Sequence, residues 1–481
     1  MIAGKKKFIC AFAFVLAITL PSAAAIELPK IIGSNMVLQC NKPIAIWGNA
    51  IAGESIIVTF DNQVKSTVAN SSGKWLVYLD PSQPSVIAKK MVVSGSNTIT
   101  LENILVGEVW LCSGQSNMEF TMAKSSKYAN ASRSKGIDSA ALTKESNKNI
   151  RLFLVKRDLT KSDGGGVNKG WNEAEGAALS AFSAAGYHFA KTISDSLQVP
   201  VGMIAASVSG SNIDPWLDGE FGTGENQQYA IDTSKPGKFF TGLVQPLAPF
   251  TLNGFLWYQG ETNCFLHEIS EYSFKFKHLI QSWRTTWNDN NAPFYFVQIA
   301  PFEYSKGKGK VLLYEQSLPE FRQAQAAALG LPKTGMIITT DLVDNTTDIH
   351  PTYKWEIGRR LALLALANDY KRMLVSMGPV YRSMQVVGKT IELAFDQIAG
   401  GLISSNGKLL NWFEIAGADG VFRPAKAVIT GEKVKVYAKG LKAPKSVRFG
   451  WHETAQPNLF NSAGLPAAPF TATIKNVLTT K

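Results

Sequence analysis

At 481 residues the chain is longer than one typical core accommodates, which predicts two or three domains. Its composition, 45% hydrophobic and 18% charged, is that of a globular protein rather than a disordered or fibrous one. The formal charge of +12 is scattered, with only short clusters such as Lys306, Lys308 and Lys310. With no basic helix and no basic-aromatic module, nucleic acid is excluded as a partner. What remains is a solvated basic surface with a mild attraction for acidic glycans.

The first 25 residues read as a secretory leader. Lys5, Lys6 and Lys7 form a positive start, residues 8–20 an apolar run, and Ala23, Ala24 and Ala25 a small-residue cleavage site. The apolar run is short for a membrane span, so the mature protein is expected to be exported, periplasmic or secreted, without stable membrane insertion. Loss of the three leader lysines lowers the formal charge to +9. Cys10 leaves with the leader. Cys40, Cys112 and Cys264 remain, too few and too widely spaced for a disulfide framework or a zinc motif.

Residues 26–105 carry short β-rich runs at 44–48, 55–60 and 74–79, separated by Gly, Asn and Asp turns, which predicts a β-sandwich. From 106 to 375 apolar strands such as 201–206 and 254–258 alternate with helical patterns at 178–197, 270–288 and 351–370. That alternation predicts a parallel sheet covered on both faces. From 376 to 481 the chain is strand-rich again. The glycine-rich stretch at 162–166 follows no dinucleotide spacing and reads as a surface turn. No P-loop, Rossmann fingerprint or His-Glu-x-x-His occurs, so no cofactor and no metal is expected.

The most informative run is 107–118, an apolar strand that enters a Gly-led turn and presents Ser116. A serine hydroxyl is a weak nucleophile near neutral pH. Catalysis therefore needs a base within reach and donors waiting for the oxyanion. Of five histidines, His188 and His278 sit within helical patterns, His452 follows a late strand and His267 lies in polar surroundings. His350 differs. Pro351 suits the first position of the next helix, which puts His350 at a loop edge. Asp348, two residues earlier, is near enough to orient its ring.

Four blocks in order carry a family resemblance: Gly114-Gln115-Ser116-Asn117-Met118 within 106–118; 200–204 with Ser209, Gly210, Ser211 and Trp216; 257–263, ending Gln259-Gly260-Glu261-Thr262-Asn263; and Asp348-Ile349-His350-Pro351, continuing through Lys354 and Gly358. Together they resemble the SGNH/GDSL hydrolases, specifically the sialate O-acetylesterase-like carbohydrate esterases. The resemblance spans nearly the whole mature chain. It implies an α/β fold: a three-layer α/β/α catalytic domain with a parallel sheet, flanked by β-rich, sandwich-like domains.

Carried over by residue, the resemblance implies Ser116 as nucleophile, His350 as general base and Asp348 as its orienting acid. It implies oxyanion donors at the Ser116 and Gly210 N–H groups and at the amide of Gln259 or Asn263. Gln259 is favoured because it directly follows the strand at 255–258. Gln115, Asn117 and Glu261 are assigned to substrate contact, with bracing of the loop as the alternative for Glu261. Two departures stand out. The third block reads Gly-Glu-Thr-Asn where the superfamily has Gly-x-Asn-Asp, and Asp-x-His replaces Asp-x-x-His. Asp341, Asp344 or a Ser-His dyad are the substitutes for Asp348.

The implied substrate is an O-acetylated carbohydrate, sialic acid first and acetylxylan or another glycan second. An expectation of a different class is a non-catalytic glycan-binding protein that uses tryptophans such as Trp47, Trp75, Trp216 and Trp412. Nothing in the sequence indicates an oligomeric state.

Overall fold

The computed structural model describes residues 25–129, 137–158, 166–167, 169–219, 221, 237–307 and 311–474. The leader at 1–25, the stretch at 162–166 and Lys308 and Lys310 fall wholly or mostly outside them.

One 17-residue strand, Thr98–Gly114, organises the molecule. Its first half alternates exposed and buried positions and pairs antiparallel with Ser85–Ser94; its second half is buried throughout. There it lies parallel between Val201–Ser207 and Gly254–Tyr258. The change follows the sequence: Thr98-Ile99-Thr100-Leu101-Glu102 suits a half-solvated edge, and Val109-Trp110-Leu111-Cys112 suits a strand covered on both faces. The boundary expected at 105/106 falls inside this strand. The segment Val37–Gln39 reinforces the join by pairing parallel with Leu105–Gly107. The Gln39 side chain then accepts the Val109 N–H at 2.8 Å.

In the first β-region, Ile44–Asn49 pairs with Lys74–Leu79, and Ser55–Phe60 with Gln63–Val68 across a tight turn at Asp61. Inward residues Ile56, Val58, Phe60, Trp75 and Leu79 belong to the same core as the central sheet.

The central strands run in the spatial order Trp171–Glu175, Ser146–Arg157, Val201–Ser207, Thr98–Gly114, Gly254–Tyr258, Phe294–Val297, Thr334–Ile337. All adjacent pairs are parallel except the antiparallel edge strand Trp171–Glu175. Thr98–Gly114 comes first in sequence yet sits inside the sheet. Later strands build out on either side of it, which makes its carboxyl end the point where strand order reverses. Such a point opens a crevice in an α/β sheet. Register aligns the ends, with Ser207 and Tyr258 both opposite Gly114. Gly114 is obligatory there: its φ is +139°, and a Cβ would meet the Tyr258 carbonyl oxygen at 2.1 Å.

Helices Ala184–Leu197 and Lys354–Asn368 cover one face. They approach so closely that a Cβ on Gly358 would lie 2.5 Å from the Ala185 oxygen. Trp110 meets Phe189 and Tyr295 on that side. Helix Ser270–Thr286 covers the other face, where Trp283 packs on Phe255 and Phe294. Two expected helices are corrected. The one at 178–197 is broken, because Ser183 caps a new helix by accepting the Gly186 N–H. The one expected from Pro351 begins at Lys354, and Pro351–Tyr353 form a preceding turn.

Beyond 376 two four-stranded sheets enclose a separate core that includes Leu393, Ile415, Val436 and Phe449. Glu453 ties this region to the central domain by accepting the Ser305 N–H at 2.7 Å. Trp75 and Trp216 are buried core residues rather than sugar platforms, whereas Trp412 is 37% exposed. Cys40, Cys112 and Cys264 are free, buried thiols. No helix among the described residues is long and apolar enough to cross a membrane.

Candidate active site

The carboxyl end of Thr98–Gly114 delivers Ser116 directly. The Gln115 N–H bonds the Tyr258 oxygen at 3.0 Å and so extends the sheet by one residue, and Ser116–Glu119 then forms a single helical turn. His350 arrives from the loop between Thr334–Ile337 and the helix Lys354–Asn368. The two meet: Ser116 Oγ lies 3.0 Å from His350 Nε2. Both face an open cleft also lined by Gly210, Glu119, Phe120, Lys124, Thr262 and Phe265. Ser116 is the first residue of its turn, so its N–H has no intrahelical partner. Among the described residues the Gly210 N–H also makes no hydrogen bond. A hydroxyl bonded to an imidazole beside open N–H groups is the arrangement that acyl transfer requires.

Asp348 is near but loosely engaged. Its Oδ1 lies 3.5 Å from His350 Nδ1 and accepts the His350 backbone N–H at 2.9 Å, and the carboxylate is 50% exposed. Asp341 and Asp344 do not replace it: the first pairs with Arg360 and the second accepts the Tyr353 hydroxyl. Burial holds the His350 pKa below its ordinary 6.5, with Lys124 and Lys354 pushing the same way and Asp348 opposing them. The ring is therefore neutral, and able to accept a proton, at neutral pH.

Comparison with known proteins decides the class. Residues 106–367 match the family model described as carbohydrate esterase, sialic acid-specific acetylesterase. The chain belongs to this family. It is a carboxylic ester hydrolase, which sets aside the purely glycan-binding alternative. The chain is 27% identical to rat sialate O-acetylesterase, over 92% of this chain and 93% of that one. Human sialate O-acetylesterase is 29% identical over 74% and 73%. A crystal structure of a carbohydrate acetylesterase from Xanthomonas citri superposes with a TM-score of 0.83 at 32% identity, covering 93% of this chain and 99% of that one.

The esterase uses its amides differently from expectation. Neither Gln259 nor Asn263 reaches the cleft: both are fully buried and their amides are spent inside the protein. Gln259 Nε2 donates to Asn263 Oδ1 at 2.6 Å, and its Oε1 accepts the Tyr272 hydroxyl at 3.0 Å. Asn263 Nδ2 donates to Glu268 at 2.9 Å, and Asn263 Oδ1 accepts the Ile213 N–H at 3.0 Å. Glu268 is held in turn by Lys275, which also pairs with Asp214. Gln259 and Asn263 are thus braces, anchored to a buried ionic chain. What remains beside the cleft is the backbone of Ser116 and Gly210, both of which line it.

Asn117, expected at the substrate, is also fully buried. Its Nδ2 donates to Glu261 at 2.5 Å and to the Ile349 oxygen at 3.0 Å, and its Oδ1 accepts from Lys354 at 2.5 Å. One amide therefore joins the serine turn, the third block and the histidine loop. Glu261 borders the cleft but is 2% exposed, and burial raises its pKa. Gln115, equally enclosed, spans Ser211, Gln259 and Glu261; in the amide orientation that satisfies these neighbours it donates to the Ser211 oxygen at 3.1 Å. Burial lowers the Lys354 pKa to about 7, against the pull of Glu261.

Two further residues shape the site. Glu119 accepts both the N–H and the hydroxyl of Ser209, which fixes the loop that carries Gly210. It lies three residues after Ser116, one helical turn on, a spacing that could have flagged it. Lys354 carried no assigned role in the sequence, yet it closes the Asn117 bridge. Among the described residues no group of His, Cys, Asp and Glu is set to hold a metal ion. A second cavity, between the central domain and the C-terminal sheets, is lined by Pro319, Met336, Met377 and Phe470 and contains no histidine.

Proposed function

We propose that this esterase removes O-acetyl groups from sialic acid through an acetyl-Ser116 intermediate. The observation that carries the reading is the 3.0 Å contact between Ser116 Oγ and His350 Nε2 at the open cleft. The family membership and the full-length similarity to sialate O-acetylesterases support the choice of sugar.

Ser116 Oγ attacks the acetyl carbonyl carbon while His350 Nε2 takes its proton. The resulting oxyanion is held by the Ser116 and Gly210 N–H groups. On collapse the sugar oxygen leaves with the proton from His350, and acetyl-Ser116 remains. Water, deprotonated by His350, then attacks the acyl carbon and releases acetate and free serine. Asp348 steadies the imidazolium in both halves.

The test of the sugar is acetate release from O-acetylated sialic acid and from acetylated xylo-oligosaccharides. Faster turnover of the sialic acid supports the reading; release from the xylose substrate alone assigns the protein to acetylxylan instead.

The pH profile tests the base. A protonated His350 cannot accept the serine proton, so kcat/KM should fall as pH drops through a midpoint below 6.5. Asp348→Asn removes the one neighbour that raises that pKa, so the acidic limb should move further down. Its rate loss should be about ten- to a hundredfold, short of the roughly 10⁴-fold seen for a buried triad aspartate, because this carboxylate is half exposed. A midpoint above 6.5, or a loss as large as the buried case, contradicts this account.

A further inference from the structure

We propose that Lys124 binds the carboxylate of an acidic O-acetylated sugar at the mouth of the cleft. The inference rests on the esterase reading and names the part of the substrate that lies away from the reacting ester.

Lys124 lines the same cleft as Ser116 and His350 and is exposed on the helix Met122–Ser126. Its Nζ stands 4.5 Å from the centre of the Phe120 ring, and that ring lies 6.4 Å from the His350 ring. Among the described residues, the other charges near the serine are already committed. Glu119 is bonded to Ser209, Glu261 to Asn117 and Lys354 to Asn117. Asp348 caps the His350 N–H. Among the described residues Lys124 forms no ion pair, and its only side-chain contact of note is the Phe120 ring.

An exposed lysine over an aromatic ring is ordinary on a surface. Here, among the described residues that line the cleft, it is the open cation, and the carboxylates are engaged. A neutral acetylated sugar has no use for it. Sialic acid carries its carboxylate and its acetylated hydroxyls on one monosaccharide, so an ester seated at Ser116 leaves the acid group one sugar's breadth away. His350 and Lys124 Nζ both stand against the same Phe120 ring, which keeps the cation close to the reacting centre. A uronic acid offers the same group, and the experiment separates the two sources.

The full chain and its Lys124→Gln and Lys124→Arg variants are assayed on 9-O-acetyl-N-acetylneuraminic acid, its C1 methyl ester, an O-acetylated glucuronate and 4-nitrophenyl acetate. Lys124→Gln should lose about tenfold in kcat/KM on the free acid, mostly through KM, as expected for one charge-assisted hydrogen bond. On the methyl ester and 4-nitrophenyl acetate, assayed well above pH 6.5 so that losing the Lys124 push on the His350 pKa is silent, it should stay within about twofold of the wild type, because those lack the anion. Lys124→Arg should keep the preference for the acid. A Lys124-dependent preference on glucuronate but not on sialate supports the contact and assigns it to a uronic acid. Equal losses on charged and neutral substrates, or a wild type indifferent to esterification of the carboxylate, overturn the inference. If sialate turnover is intact in that case, the proposed function survives without it.

Discussion

Ser116→Ala should abolish acetyl-ester hydrolysis, with a loss in kcat on the order of 10⁵-fold or more, as for other serine nucleophiles removed from their histidine. Among the described residues its hydroxyl has one hydrogen-bond partner, His350 Nε2 at 3.0 Å, and bonds nothing that supports the fold. Alanine is a good helix former at the start of the Ser116–Glu119 turn. Melting temperature should therefore stay within a few degrees of the wild type while turnover disappears. His350→Ala should fall to a similar floor, and the double variant should be little worse than either single one, because the two act as a unit. Residual activity in Ser116→Ala within a hundredfold of the wild type, in a protein that melts normally, would end the assignment of the nucleophile.

The second large effect concerns stability. Lys275→Met should destabilise the protein by about 3–5 kcal/mol, because it strips the cation from a buried cluster and leaves two carboxylates uncompensated. The lysine side chain is 0% exposed and sits 2.8 Å from Asp214 and 2.9 Å from Glu268, themselves only 5% and 3% exposed. For a domain of this size such a loss lowers the melting temperature by roughly 10 °C. The damage should reach catalysis as well, since Glu268 anchors Asn263 and Asn263 anchors Gln259. Melting within a degree of the wild type would show that the cluster carries no such burden. Replacing Asp214, Glu268 and Lys275 together with apolar residues should cost much less than the single change, since no unpaired charge then remains.

Much of the site was legible before the structure, and for a chemical reason. A serine at the end of an apolar strand and a histidine on a loop edge are positions that expose reactive atoms, and the structure brings the two within 3.0 Å. Their neighbours were harder to read. Gln259 does follow its strand directly, but the end of a strand fixes where the backbone lies and not where an amide turns. Tyr272, thirteen residues away, and Asn263 draw it into the interior. The chain from Asp214 to Lys275 to Glu268 joins residues far apart in sequence, with no periodicity to announce it. Pro351 is a good first helical residue, yet the turn it begins delays the helix to Lys354. Lys354 itself runs against the usual exposure of lysine, so only its contacts reveal its role. The shift in composition near 106 was real, but it marked the passage of one strand from a solvated edge to a covered sheet, not a break in the backbone.

The wide separation of Ser116 and His350 has a temporal meaning. The two atoms that touch are 234 residues apart in the chain. The Tyr258 carbonyl that receives the Gln115 N–H comes 143 positions after Gln115. During synthesis the serine emerges long before the strand that seats it, and longer still before His350. Pairing across such spans pays its loop-closure cost late and is slow to form. The nascent chain therefore holds Ser116 apart from His350 until residue 350 has been made and its loop has docked.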